Sequence, residues 1–180
     1  SHLSFEEASE LAYFGAKVLH PQCIVPAHLY NIPTRIKSTM RPEAHGTLIS
    51  QESSNNIVKA IAAKNGITAI KIKSSRMVMA YGFLRRVFEL FAKYKTSIDM
   101  STTSEIAVSL TIDDDRNLLP ILEELKEYGK VEVDKGQTIV CIVGDLIAEH
   151  KGVGKELFDA LDEIPIRMIS YGGSKNNISI

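Results

Sequence analysis

A unit of strand, helix, strand and strand recurs in this chain with a period near 70 residues. Such a repeat constrains the fold more tightly than any composition statistic, because each copy must bury its own apolar face. In the first copy, residues 67–74 read as a strand, 82–94 as a helix, and 97–103 and 106–112 as two more strands. The 82–94 helix carries Phe83, Leu84, Val87, Phe88 and Leu90 on one face and Arg85, Arg86, Glu89 and Lys93 on the other. That is the stripe of a helix lying on a sheet. Residues 106–112 alternate strictly, with Ile106, Val108, Leu110 and Ile112 on one side. A second helix is expected from a cap within 113–115 to a left-handed cap at Gly129, with Pro120 in its first turn and Val131 and Val133 in a closing strand. The second copy supplies a strand at 138–143, a helix at 152–161, a strand at 166–170 and a last one beginning at Ile178. The order βαββαβ is the ferredoxin-like arrangement, an α+β fold whose antiparallel sheet is covered by helices on one face.

Upstream of the repeats, Ser4 and Glu7 form a capping box for a helix with Leu11, Phe14, Ala16 and Val18 on its apolar side, ended by His20-Pro21. A short helix at 21–30 and a strand at 32–38 follow. The stretch 50–56 has no aliphatic residue apart from its flanks and marks a boundary. Segments 57–63 and 67–74 flank Lys64-Asn65-Gly66, and Asn-Gly predicts a hairpin between them.

With 180 residues, 21 basic against 22 acidic side chains and a formal charge of −1, the chain lacks the clustered cations that nucleic acid requires. No apolar run approaches the roughly 20 residues of a membrane-spanning helix. Two cysteines, Cys23 and Cys141, make no disulfide framework and suit a reducing, cytoplasmic setting. Ser1-His2-Leu3 reads as a cloning remnant on a shortened chain. Gly152-Val153-Gly154-Lys155 has Glu149 and Glu156 where a phosphate loop needs Gly and Ser or Thr, so it reads as a helix start. His20, Cys23 and His28 match no closed zinc spacing and read as packing or surface residues.

More specific features sit within the repeats. Arg76-Met77, Tyr81-Gly82-Phe83-Leu84, Ser97-Ile98-Asp99 and Thr103-Ser104-Glu105 together resemble the first ACT domain of lysine-inhibited, monofunctional aspartokinases. Residues 169–179 (Ile-Ser-Tyr-Gly-Gly-Ser-Lys-Asn-Asn-Ile-Ser) resemble the second ACT domain of that family, and 4–8 and 15–21 the close of its catalytic domain. Gly46-Thr47-Leu48-Ile49 is similar to the stretch preceding the ACT region. The resemblance implies residues 1–50 as the catalytic-domain tail, and 51–66 as a linker plus a strand completing the second ACT domain. It also implies 67–135 as the first, effector-binding ACT domain and 136–180 as a shortened second one, the two interlocked. The family's Lys-Phe-Gly-Gly-Thr-Ser phosphate motif has no counterpart here. By resemblance the parent uses ATP and Mg²⁺ to phosphorylate L-aspartate, and this piece needs no cofactor and is expected to be inactive alone.

A free amino acid presents a carboxylate, an ammonium and a side chain, all of which need partners once desolvated. The helix starting at Gly82 offers unpaired amides and a positive dipole end to the carboxylate. By resemblance, backbone near Ala80, Phe83 and Leu84 holds that carboxylate, and Asp99 and Glu105 face the ε-ammonium of L-lysine. Met77 and Ile98 cover its stem, while Ser97, Thr103 and Ser104 add polar contacts. Threonine would need no second anion, so the two acids favour lysine. The resemblance further implies a homodimer with the effector between first ACT domains, and contacts to the chain's own kinase domain. In the second copy Lys175 and Asn176 follow Ser174, and a structural role is expected there. Glu6, Glu7 and Lys17 read as helix-capping and surface residues that brace the kinase site in the intact enzyme. Two readings of other classes stay open: an ACT module for another amino acid such as threonine, and a purely structural dimerisation region.

Overall fold

Ser4 Oγ accepts the Glu7 N–H at 3.1 Å, and the Glu7 carboxylate accepts the Ser4 N–H at 2.8 Å. This reciprocal pair satisfies two orphan donors and opens helix α1 (Phe5–Tyr13) directly after strand β1 (His2–Ser4). Helix α2 (Pro21–Leu29) starts where His20 Nδ1 accepts the Gln22 N–H at 3.2 Å. His28 stacks on Phe5 with ring centroids 5.2 Å apart, so both histidines have structural work. Strands β2 (Thr34–Ile36) and β3 (Thr47–Ser50) complete a small sheet in which β3 lies parallel to β1 and antiparallel to β2. Phe5, Ala8, Ile24 and Ile49 form its core.

The computed structural model describes residues 1–180 apart from 15, 17, 18, 53–55 and 78–80. The remaining elements are β4 (Ala60–Lys73), α3 (Phe83–Lys93), β5 (Ser101–Thr103), β6 (Ala107–Ile112), α4 (Leu118–Leu125), β7 (Lys130–Val143), α5 (Val153–Ala160), β8 (Ser170–Tyr171) and β9 (Asn177–Ser179). They divide between two units, Asn65–Thr138 and Ser1–Lys64 with Ile139–Ile180, and the long strands β4 and β7 run through both.

In the Asn65–Thr138 unit the strand order is β5-β6-β4-β7. Register is set by Thr68↔Ile112 through Lys73↔Ala107 and by Ser101↔Leu110 through Thr103↔Val108. Ile70, Ile72, Val108, Leu110 and Ile112 share one face, where Val87, Leu90 and Phe91 of α3 and Leu118, Ile121 and Leu125 of α4 meet them in a single core. Both helices therefore cover the same face. Each fully buried aliphatic side chain contributes about 1.5–3 kcal/mol relative to an exposed one. Lys93 and Tyr94 at the end of α3 both bind the Glu124 carboxylate of α4. Those bonds hold Glu124 below the usual carboxylate range and raise both the Lys93 ammonium and the Tyr94 phenol.

In the other unit the order is β4-β7-β9-β8, with Cys141↔Ser179 and Val143↔Asn177 in register. Ile142, Ile147, Val153 and Ile178 form the core under α5. The buried Lys59 ammonium binds the Glu7 carboxylate at 2.8 and 3.0 Å, with the two side chains 3% and 1% exposed. Glu7 is thus a buried residue, against the expectation of a surface one.

Other expectations change as well. Asn65-Gly66 makes no hairpin: the segment is one 14-residue strand, with Gly66 at φ +77 in its interior. The expected strands around 131–133 and 138–143 are likewise one strand, with Gly136 at φ +70. Left-handed glycine conformation here sits inside continuous strands instead of reversing the chain. Helix α4 starts after Asn117 and ends at Leu125, so Gly129 is no left-handed cap. Its lack of a Cβ serves close approach, since a Cβ would stand 2.2 Å from Lys73 O. Val18 and Lys17 lie outside the described residues. Among the described residues no helix is long and apolar enough to cross a membrane.

Two outcomes are expected. Gly144→Ala would set a Cβ 1.6 Å from the Ile57 carbonyl oxygen, whereas nothing lies within 4 Å of one at Gly66. Urea unfolding should show a loss of about 2–3 kcal/mol for Gly144→Ala and about 1 kcal/mol for Gly66→Ala; equal losses contradict the packing account. Burial pushes the Cys141 thiol up to about 11, while Cys23 is exposed. A thiol reagent at pH 8 should therefore modify one cysteine per folded chain and two after unfolding. Rapid modification of both in the folded chain would contradict it.

Candidate functional site

Gly82 precedes α3 with φ +80, and a Cβ there would meet nothing within 4 Å. Backbone conformation, not crowding, makes this position a glycine. The first intrahelical bond runs from the Arg86 N–H to Gly82 O at 3.1 Å. The N–H groups of Phe83, Leu84 and Arg85 precede it, and no side-chain cap bond occurs at this helix start. They form an anion-attracting end, strengthened by the helix dipole.

The turn between β5 and β6 arrives at the same end of the unit. The Ser104 N–H donates to Ala107 O at 2.8 Å, which closes the turn and leaves Thr103, Ser104 and Glu105 exposed. The Ser74 N–H donates to Ile106 O at 2.8 Å, tying the turn to the end of β4. From there a 3₁₀ turn, Ser75–Met77, leads towards α3. Met77, Gly82, Leu84, Thr103, Ser104 and Glu105 thus gather at one end.

Ser97, Ile98 and Asp99 lie at the other. The Asp99 N–H donates to Thr111 O at 2.9 Å, and the Met100 N–H donates to Thr111 Oγ1 at 2.9 Å. From Asp99 to Thr103 the extended chain covers roughly 13 Å. Within one chain the two acids therefore stand at opposite ends of β5.

Side-chain roles also sort themselves. Phe83 is buried in the core, edge-on to Tyr128 at 6.2 Å, so only its backbone can face a ligand. Met77 and Ile98 are half-buried and pack partly on the same core. Leu84 keeps 38% exposure. Ala80 lies outside the described residues. The anchoring role of Ser74 has no side-chain signature and was legible only through the repeat: the Gly144 N–H donates to Asn176 O at 3.0 Å, the same bond 70 residues later.

Comparison with known proteins bears on this arrangement. A family model described as an ACT domain matches residues 140–180. Over 98% of its length the chain is 38% identical to the lysine-sensitive aspartokinase 3 of Escherichia coli, covering 41% of that relative. The crystal structure of E. coli aspartokinase III in complex with lysine and aspartate, in the T-state, superposes with a TM-score of 0.85 at 38% identity, over 99% of this chain and 42% of that one. A candidate C-terminal regulatory domain of aspartate kinase from Porphyromonas gingivalis W83 is 48% identical with a TM-score of 0.61, over 69% of this chain and 85% of that one. The chain belongs to the aspartokinase family. It is similar to the C-terminal part of the E. coli aspartokinase and spans about 41% of that relative's length. In aspartokinase terms, the chain carries the tandem ACT repeats that the resemblance implied, on the ferredoxin-like pattern read from the repeat.

The left-handed backbone at Gly82 makes a measurable demand on this aspartokinase chain. Gly82→Ala should cost about 1 kcal/mol in chemical unfolding and Gly82→Asn clearly less, because Asn tolerates this conformation better. Equal losses contradict that reading of the helix start.

Proposed function

We propose that this chain is the regulatory region of an aspartate kinase and binds L-lysine as an allosteric feedback inhibitor between two copies of its first ACT repeat. The parent transfers phosphate from ATP, with Mg²⁺, to the side-chain carboxylate of L-aspartate in cytoplasmic amino-acid biosynthesis. The observation that carries the effector reading is the split of the candidate groups between the two ends of β5. The N–H groups after Gly82 suit the α-carboxylate, and Thr103, Ser104 and Glu105 surround that same end. A cationic side chain reaching away from it needs an acid that the same chain holds only at the far end. A two-fold axis perpendicular to β5 turns one repeat end-for-end against the other. The partner's Asp99 then stands opposite the Gly82 end. One ligand bridges the pair, its carboxylate on exposed amides and its ammonium between carboxylates. That an E. coli relative was crystallised with lysine supports the choice of ligand.

Inhibition is then linkage. Lysine biases the kinase only by its differential affinity for two arrangements of the enzyme, typically about 1–3 kcal/mol. Calorimetry on the chain with lysine, threonine and methionine is expected to give heat with lysine alone. Binding of threonine alone selects another effector, and silence with all three selects a structural dimerisation role. Asp99→Ala should weaken lysine binding by about thirtyfold or more with an unchanged far-ultraviolet spectrum. Wild-type affinity in that variant contradicts the ammonium assignment.

A further inference from the structure

The two ACT repeats correspond at a constant offset of 70 residues. Ser74 N–H to Ile106 O recurs as Gly144 N–H to Asn176 O, and the left-handed glycine opening α3, Gly82, recurs as Gly152 opening α5. This register identifies what the second repeat holds where the first presents its open turn. Glu105 corresponds to Lys175, which is paired with Glu149 at 3.2 Å. Asp99 corresponds to Ile169, so both acids are gone.

Ile106, exposed in the first repeat, corresponds to Asn176, which is buried. Asn176 Oδ1 accepts the Leu146 N–H at 3.1 Å, and its amide N–H donates to Glu6 Oε2 at 2.7 Å. The neighbouring Asn177 amide donates to the Glu10 carboxylate. Along β9, Asn177 and Ser179 alternate with Ile178, which lies in the core under α5. They therefore belong to the opposite sheet face, and both are buried. Helix α1 meets this region: Glu6 and Glu10, one turn apart, bind Asn176 and Asn177, and Glu7 binds Lys59. The other side of α1 places Phe5 and Ala8 in the core shared with α2 and β3.

We propose that α1 is the resident partner of the second ACT repeat. Its acidic ridge, Glu6, Glu7 and Glu10, is clamped by the amides of Asn176 and Asn177 and the Lys59 ammonium. Movement of the second repeat is thereby delivered to the segment that follows α1. The second repeat is a mechanical coupling to the catalytic-domain tail and not a second effector pocket.

Hydrogen exchange on the whole chain tests the clamp. Asn176→Asp with Asn177→Asp keeps side-chain shape but turns both donors into carboxylates facing Glu6 and Glu10. Amides of α1 should then exchange roughly ten- to a hundredfold faster, with 65–138 unaffected. Adding Glu6→Gln and Glu10→Gln reverses the direction of both bonds and should restore slow exchange. If the Asp pair fails to fold, Glu6→Ala with Glu10→Ala serves instead. Alanine is the best helix former, so faster exchange there reports lost contacts and not a weakened helix. Unchanged α1 exchange in the Asp or the Ala pair, or no rescue by the swap, overturns the clamp.

The coupling role rests on the lysine reading above and has its own readout. In the intact enzyme the Asp pair should bind lysine within about twofold of wild type yet lose inhibition at least tenfold. Inhibition retained at wild-type lysine concentration overturns the coupling. A wild-type enzyme that binds no lysine overturns the effector reading, and the exchange result alone then decides the role of α1.

Discussion

Antiparallel pairing on both sides of β6 is the constraint from which the candidate site follows. Because β4 and β5 both run opposite to β6, the loop leaving β4 and the turn leaving β5 emerge at one end of the unit. A helix that returns across the sheet must start at that end, which puts the amides after Gly82 beside Thr103, Ser104 and Glu105. The same geometry sends Asp99 to the opposite end. No side-chain rotamer can close that gap, because backbone register sets it. The proposed effector site, which uses both acids, therefore draws them from two chains.

Much of this was legible in the sequence because the features are periodic. Alternation in 106–112 and the apolar stripe of 82–94 each depend on one side chain per position, and both elements form where expected. Failures cluster where one local signal has two physical uses. Asn65-Gly66 supplies a positive φ that a tight turn or a strand irregularity can use equally, and the uninterrupted strand Ala60–Lys73 shows the second. Gly129 offers either a helix cap or room for close approach, and the Lys73 carbonyl settles which. Phe83 could line a pocket or a core, and Tyr128, 45 residues away in sequence, draws it into the core. Strand β1 is three residues long and carries no pattern; only its pairing with β3 defines it. Glu7 read as a capping and surface residue because Lys59, its buried counter-ion, lies far along the chain.

Two copies of one fold differ at most of their aligned positions, and the partners proposed for them differ as well. The first repeat keeps two acids, exposed Glu105 at the end where its helix begins and half-buried Asp99 at the opposite one. The second exchanges one for Lys175 and the other for Ile169, and its backbone junction is sealed by Asn176 against the chain's own helix. Glycine at the helix starts is common to both, since it answers to backbone conformation and not to ligand. Burying Glu7 with Lys59 costs desolvation that apolar residues would avoid, and breaking such a pair costs about 3–5 kcal/mol. Such a pair fits a helix held in one orientation.

Mixing two defective chains tests most directly whether the site is shared between subunits. Asp99→Ala and Glu105→Ala chains, each lacking one acid, are exchanged into mixed dimers and titrated with lysine. If the acids at one ligand come from different subunits, a mixed dimer holds one intact site and one lacking both acids. Lysine binding then returns at one site per mixed dimer, although neither parent binds. If both acids serve from the same chain, mixing restores nothing, and the two-chain site is contradicted.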